Sequence, residues 1–205
     1  MNQLFREPVR NVLPYDGYAL IHQEFLTTAV ASHYFSTLKN EIDWEEHDLI
    51  LFGKKIREPR LSAWIADDNV SYTYSGKPRQ AKPWTQGLFE LRKLCEETAK
   101  TRFNSVLANL YRDGLDSLAW HADDEPENGK EPVIASLSFG ATRRFDLKHN
   151  TTHKQVNVSL EHGTLLVMGG LSQECWKHRV PRTTRVLESR INLTFRWVSP
   201  TPLDK

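Results

Sequence analysis

The sequence has few of the features that mark secreted or membrane proteins. Cys95 and Cys175 are the two cysteines among 205 residues, so we expect no disulfide framework and a reducing compartment. No uncharged apolar run approaches the roughly 20 residues that a membrane-spanning helix needs, and Met1 to Glu7 lack the apolar core of a secretory signal. The sequence therefore predicts a soluble cytoplasmic protein, nuclear if the source is a eukaryote, that has no membrane partner.

Neither sign of charge dominates, because 27 Lys and Arg residues face 26 Asp and Glu residues. The basic residues nevertheless cluster in three places: Lys54, Lys55, Arg57 and Arg60; Lys77, Arg79 and Lys82; and Arg179, Arg182 and Arg185. Acidic residues concentrate at 41–48 and 123–131. Such segregation could create one basic face that attracts phosphates, and an evenly solvated surface is the alternative.

The spacing at which apolar residues recur changes along the chain. Apolar residues recur at helical spacing over 22–40 and 85–101, and Leu88, Leu91, Leu94 and Cys95 are expected to face inward. Period-two patterns then predict six strands, at 106–111, 134–139, 144–148, 155–160, 164–168 and 190–197. Helices followed by strands indicate an α+β fold, in which N-terminal helices pack against a jelly roll, or double-stranded β-helix.

The length of the chain favours one domain over residues 1–205. Within it we expect an N-terminal extension at 1–84 and a jelly-roll core at 105–198. Residues 1–20 are expected to form a strand or loop packed on the barrel. No feature demands more than a monomer.

A group of potential metal ligands stands out in the second half of the chain. His121 and Asp123 are two residues apart, on one side of an extended segment, and His178 follows in a loop-like stretch before Pro181. Two histidines and one carboxylate that leave coordination positions open are the ligand set of non-haem iron(II) oxygenases. A surface or hydrogen-bonded histidine is the alternative for His121.

The motif alone is weak, because about one His-x-Asp/Glu is expected by chance in a chain of this composition. A second instance, His22 to Glu24, falls on the first predicted helix. Residues two apart do not share a helix face, so we interpret this second instance as accidental.

The strand predicted at 190–197 has an unusual polar face. Its apolar face must be buried and carries Ile191, Leu193, Phe195 and Trp197. Its polar face carries Arg190, Asn192, Thr194 and Arg196. This face could be solvated, or it could line a cavity for an anion, and Asn109 and Tyr111 on another strand pose the same choice.

Arginine pairs bidentately with carboxylates, and two arginines inside a barrel without anions would be costly. A chelating oxo-acid bound to the metal therefore explains both the group of metal ligands and the two arginines on this strand.

Eight segments together resemble the AlkB family of nucleic-acid dealkylating dioxygenases. They are Tyr72–Gly76, Lys82–Trp84, Asn109–Tyr111, His121–Glu125, Ile134–Gly140, Met168–Gly170, Trp176–His178 and Arg190–Arg196. The resemblance covers residues 51–197 in the right order. It implies iron(II) and 2-oxoglutarate as cofactors, O2 as cosubstrate, and oxidative removal of N-methyl groups of the 1-methyladenine or 3-methylcytosine type, released as formaldehyde.

The resemblance also implies residue roles. His121, Asp123 and His178 would bind iron. The 2-oxoglutarate carboxylate would pair with Arg190, in a pocket completed by Asn109, Tyr111, Asn192, Thr194 and Arg196. The exocyclic amino group of the target base would contact Asp124 and Glu125, under a lid formed by Tyr72, Thr73, Tyr74 and Ser75. Each lid aromatic could instead fill the core.

The segment Leu51 to Lys54 resembles the branch of the family that prefers duplex DNA. We expect Phe52, next to Gly53, to fill the gap left by the flipped base, with Lys54 and Lys55 on flanking phosphates. The alternative is that Phe52 is a core residue. The predicted partner is nucleic acid, in particular DNA, duplex or single-stranded.

Two rival functions stay open at this point. The first keeps the metal chemistry and acts on RNA, a protein side chain or a small molecule. The second is a jelly-roll binding protein without turnover, for which we expect neither iron binding nor 2-oxoglutarate decarboxylation.

Overall fold

The computed structural model describes residues 9–51, 54–68, 70, 72–74, 77–79 and 81–199. For residues 49–51, 54, 55, 72–74 and 77–79 it describes the backbone alone. Within these ranges, no helix combines the length and the apolar character required to cross a membrane.

The described elements are mainly strands. They are β1 (Arg10–Asn11), β2 (Tyr18–His22), β3 (Glu45–Leu51), β4 (Lys54–Ala66), β5 (Tyr72–Tyr74), β6 (Lys77–Arg79), β7 (Ser105–Tyr111), β8 (Leu118–His121), β9 (Ile134–Gly140), β10 (Arg143–His149), β11 (Gln155–Leu160), β12 (Leu165–Gly169), β13 (Trp176–Val180) and β14 (Arg190–Arg196). The helices are α1 (Thr28–Glu41), α2 (Gln86–Ala99) and α3 (Ser172–Cys175), with a 3-10 turn at Pro126–Asn128.

Two antiparallel sheets form the body of the protein. The major sheet has the order β1-β2-β12-β9-β14-β7-β4-β3, and the minor sheet has the order β11-β10-β13-β8. A separate hairpin joins β5 and β6. Side chains from both sheets line one interior cavity, among them Asn192 of the major sheet and His178 of the minor sheet. This is the two-sheet arrangement of a jelly roll, as the strand pattern predicts.

The first predicted helix is wrong over its first six residues. His22 ends strand β2, and Glu24 has a left-handed φ of 48° in the turn that follows. Helix α1 starts at Thr28 because the side chain of Thr27 accepts a hydrogen bond from the backbone N–H of Val30 and caps it.

The order of helices first and strands afterwards is also wrong. Strands β2 and β4 pair with β12 and β7 in the major sheet, so the N-terminal third of the chain supplies four of its strands. Strand β4 was not predicted because its inward face carries Glu58 and Arg60, which pair with each other at 3.0 Å. Two charged residues on the buried face interrupt the alternation of apolar and polar residues from which strands are predicted.

The main core lies between the helices and the major sheet. Leu38 of α1 and Leu88 and Leu91 of α2 belong to the same buried cluster as Val106 and Phe195. Two residues expected to be buried are not: Leu94 is 37% exposed and Trp197 is 46% exposed. Leu94 lies on the flank of the helix face that carries Leu88, Leu91 and Cys95, and Trp197 follows the last residue of β14.

Leu91→Ala should lower the free energy of unfolding by about 2–5 kcal/mol, because it leaves a cavity at a fully buried site. The matched control on the same helix is Leu94→Ala, for which we expect about 1 kcal/mol or less. Urea unfolding followed by circular dichroism measures both. Equal losses would contradict the packing of α2 described above.

Candidate active site

The three predicted metal ligands meet inside the jelly roll. His121 ends β8, Asp123 follows two residues later, and His178 lies directly opposite His121 in the register of β13 with β8. Their ligand atoms all lie within 4.8 Å of one another. Nε2 of each histidine is 4.0 Å from a carboxylate oxygen of Asp123. The pattern of ligands predicted from the sequence is therefore brought together at one point.

His178 lies in a strand and not in the loop that the sequence suggested. Residues Trp176–Val180 form β13, which pairs with β8 on one side and with β10 on the other. The nearby Pro181 marks the end of this strand. Because β13 is central in the minor sheet, His178 has a backbone fixed from both sides.

The environment of each ligand suits a divalent metal. Nδ1 of His121 donates to the carbonyl of Ala119 at 2.9 Å, which leaves the lone pair of Nε2 available as a ligand. The ring of Phe145 stacks on His178, with centroids 5.2 Å apart. His178 and Asp123 are almost fully buried, whereas the side chain of His121 is 25% exposed.

Burial and charge fix the protonation of two ligands. Burial alone would raise the pKa of Asp123, but the positive charge of Arg196, with smaller effects of His178 and His121, holds that pKa at about 2. Burial, with a smaller effect of the neighbouring His121, lowers the pKa of His178 to about 3, although the carboxylate of Asp123 acts in the opposite direction. At neutral pH Asp123 is an anion and His178 is neutral, which are the states that bind metals.

Arg190 lies in the same cavity with most of its hydrogen-bonding capacity unused. Its Nη2 donates to the hydroxyl of Ser138 at 2.9 Å, whereas Nε and Nη1 find no hydrogen-bond partner among the described residues. The hydroxyl of Tyr111 interacts with the guanidinium but reaches no good hydrogen-bond geometry. Burial lowers the pKa of Arg190 to about 10, so the group still carries its charge at neutral pH. A buried cation with free donors is a site for an anion.

The polar face of β14 points into the barrel and is not solvated. Asn192 donates from Nδ2 to the hydroxyl of Ser136 at 2.9 Å, and its Oδ1 accepts from the hydroxyl of Thr194 at 3.2 Å. Arg196 donates to Asp123 at 2.6 Å. The choice between a solvated face and a cavity is thereby settled in favour of the cavity.

Arg60 is a cavity residue that sequence analysis placed in a basic surface cluster. It is 2% exposed, lines the cavity, and donates from Nε to Oδ1 of Asn109 at 2.8 Å. The other basic clusters are partly neutralised, since Lys82 pairs with Asp43 and Arg179 with Asp146. The alternation of Glu58, Arg60 and Ser62 along β4 was the signal that could have revealed Arg60.

The expected substrate residues are described unevenly. Asp124 is exposed and Glu125 half-buried, directly after the ligand Asp123, and Glu125 accepts from Nδ2 of Asn128 at 3.0 Å. Lys54 lies in β4, and Tyr72, Thr73 and Tyr74 form β5, with the backbone alone described. Phe52, Gly53 and Ser75 lie outside the described residues.

A second group of possible ligands does not offer a suitable ring nitrogen. Asp16, His149 and Cys175 lie close together. However, Nδ1 of His149 accepts from the backbone N–H groups of Thr151 and Thr152. The proton of a neutral ring is then on Nε2, which donates to Asp16 at 3.0 Å. This contact ties the loop between β1 and β2 to the end of β10.

Comparison with known proteins agrees with this geometry. A family model of the 2OG-Fe(II) oxygenase superfamily matches residues 18–196. The alpha-ketoglutarate-dependent dioxygenase alkB homolog 3 of Bos taurus is 41% identical over 188 residues, which cover 87% of this chain and 65% of that protein. The DNA oxidative demethylase ALKBH2 of Mus musculus is 39% identical over 185 residues, which cover 84% of this chain and 77% of that protein.

This chain spans 64–66% of the length of the four alkB homolog 3 proteins that it matches. The solved structure of OsALKBH1 shares its fold, with a TM-score of 0.64 at 19% identity over 93% of this chain and all of that one. The chain belongs to the AlkB family of iron(II)- and 2-oxoglutarate-dependent oxygenases.

Proposed function

We propose that this protein removes N-methyl groups from nucleic-acid bases by oxidation, with DNA as the substrate. The observation that carries the proposal is Arg190, a fully buried guanidinium with unused donors in the same cavity as two histidines and a carboxylate. The names of the relatives, a DNA oxidative demethylase among them, support the choice of substrate.

The cofactors would be held by residues that already have suitable charge and geometry. His121, Asp123 and His178 would bind iron(II). Arg190 would pair with the distal carboxylate of 2-oxoglutarate, beside Tyr111 and Asn192. When bound, these cofactors and O2 supply the oxidation of the N-methyl carbon, with succinate, carbon dioxide and formaldehyde as the other products.

The protein's own residues provide charge, position and exclusion of water. Asp123 stays anionic because Arg196 pairs with it, and Arg190 offers a fixed cation to a carboxylate. Apolar side chains of both sheets, including Leu107, Phe145 and Val180, line the same cavity. Electrostatic interactions are stronger in such a partly dry site than in water.

The substrate side of the proposal rests on the loop after Asp123. A base inside a duplex cannot reach the cavity, so it must be flipped out of the stack. Asp124 and Glu125 would accept hydrogen bonds from the exocyclic amino group of this base. The segment Tyr72–Ser75 would cover it, within an N-terminal extension (1–84) attached to the catalytic core (105–198). The active unit would be a monomer.

The proposal is tested by incubating the protein with iron(II), ascorbate, 2-oxoglutarate and an oligonucleotide that carries 1-methyladenine or 3-methylcytosine. Mass spectrometry should show loss of the methyl group that depends on both cofactors and is absent from Asp123→Ala. Turnover of 2-oxoglutarate without demethylation would leave the metal site intact and reject nucleic acid as the substrate. Absence of both activities would reject the enzymatic function.

We further propose that Phe52 fills the gap left by the flipped base, with Lys54 and Lys55 on the flanking phosphates. Phe52→Ala should then lower demethylation of a duplex more than that of a single strand, because a single strand has no gap to fill. The assay is the same, with both substrates run in parallel. An unchanged ratio of the two rates would reject the wedge role and favour a phenylalanine of the core.

A further inference from the structure

Asp123 is the one proposed ligand that lies outside the strands. Side chains from three other segments hold its polar groups. Its backbone N–H donates to Oε1 of Gln173 at 3.0 Å, and its carbonyl accepts from Nδ2 of Asn128 at 3.3 Å. Its carboxylate accepts from Arg196. The position of this ligand therefore depends on side-chain contacts and not on a sheet ladder.

Gln173 is well suited to fix a backbone position. It is 2% exposed and lies in the short helix α3. The orientation of its amide is set at both ends: Oε1 faces the N–H of Asp123, while Nε2 donates to the hydroxyl of Ser172 at 3.2 Å and to Sδ of Met168 at 3.7 Å. A buried side chain with its amide held at both ends loses little further freedom when it holds Asp123.

Helix α3 has four residues and is too short to be stable alone. Its surroundings hold it in place. A Cβ atom on Gly17 would lie 2.4 Å from the backbone nitrogen of Ser172, so the loop before β2 packs directly on the helix. Asn150 donates from Nδ2 to the carbonyl of Glu174 and from its backbone N–H to the carbonyl of Cys175, both at 2.8 Å. The helix is thus a fixed support for Gln173.

We propose that Gln173 is a positioning residue for the metal site. It does not touch the metal. It holds the backbone of Asp123 so that the carboxylate points to the same place as His121 and His178. Helix α3 continues directly into β13, which carries His178, so one anchored segment sets the distance between two ligands. The inference rests on the proposed function, because it needs a divalent metal at this triad.

Gln173→Met is the sharpest variant, because methionine has a similar length but replaces the amide oxygen that accepts from the Asp123 N–H with a thioether sulfur, a much weaker acceptor. We expect the Kd for Co(II), measured by titration calorimetry, to rise by about 10- to 100-fold, the usual effect of losing a group that orients a metal ligand. The visible absorption spectrum of bound Co(II) should also change, because the carboxylate is no longer held in one orientation.

Glu174→Gln is the matched control on the same helix. The side chain of Glu174 is exposed, and the contact with Asn150 uses its backbone carbonyl, so the Kd for Co(II) should stay within about threefold of the parent value. Thermal unfolding of both metal-free variants reports any general loss of stability. Equal weakening by the two variants, or an unchanged Kd in Gln173→Met, would overturn the inference.

Hydrogen exchange of the parent protein gives a test that needs no variant to fold. The amide of Asp123 should exchange more slowly than that of the exposed Asp124, because a buried side chain holds it, and equally fast exchange would overturn the inference. A parent protein that binds no Co(II) at all would instead reject the proposed metal site. The two failures are therefore distinguishable.

Discussion

The structure depends on charged groups that are held inside a β-sheet barrel. Asp123 and Arg196 form a buried ion pair at 2.6 Å, and Arg190 lies six residues before Arg196 on the same face of β14. Burial of such charges costs several kcal/mol per ion unless each finds a partner. Arg196 has its partner in the protein. Arg190 has Ser138 and keeps two free donors among the described residues, so the cavity is complete when an anionic cofactor binds there.

The parts of the site that could be predicted from the sequence are those with a local pattern. Alternation along β14 placed Arg190, Asn192, Thr194 and Arg196 on one face without knowledge of the fold, because a strand repeats every two residues. The two-residue spacing of His121 and Asp123 likewise placed both side chains on one side of an extended segment. His178, which lies far away in the chain, was added as the second histidine of a non-haem iron ligand set, and the resemblance of eight segments to one family supported that choice.

The parts that could not be predicted depend on contacts between distant residues. Arg60 looked like a surface cation because its partner Asn109 comes beside it only when β4 pairs with β7. Gln173 carries no signal in the sequence, since its role comes from the position of α3 beside the Asp123 loop. The start of the first helix was misplaced because Phe25 and Leu26, which lie in the bend between β2 and α1, fit the helical spacing of the apolar residues that follow.

The cavity of the jelly roll would hold a metal on the triad of two histidines and one carboxylate, and Arg190 would hold the distal carboxylate of 2-oxoglutarate. A crystal structure of the protein with Mn(II) and 2-oxoglutarate under anaerobic conditions tests this arrangement most directly. We expect the metal on His121, Asp123 and His178, and the distal carboxylate of 2-oxoglutarate on the free donors of Arg190. A carboxylate bound to Arg60, or a metal bound at another place with the triad empty, would contradict it.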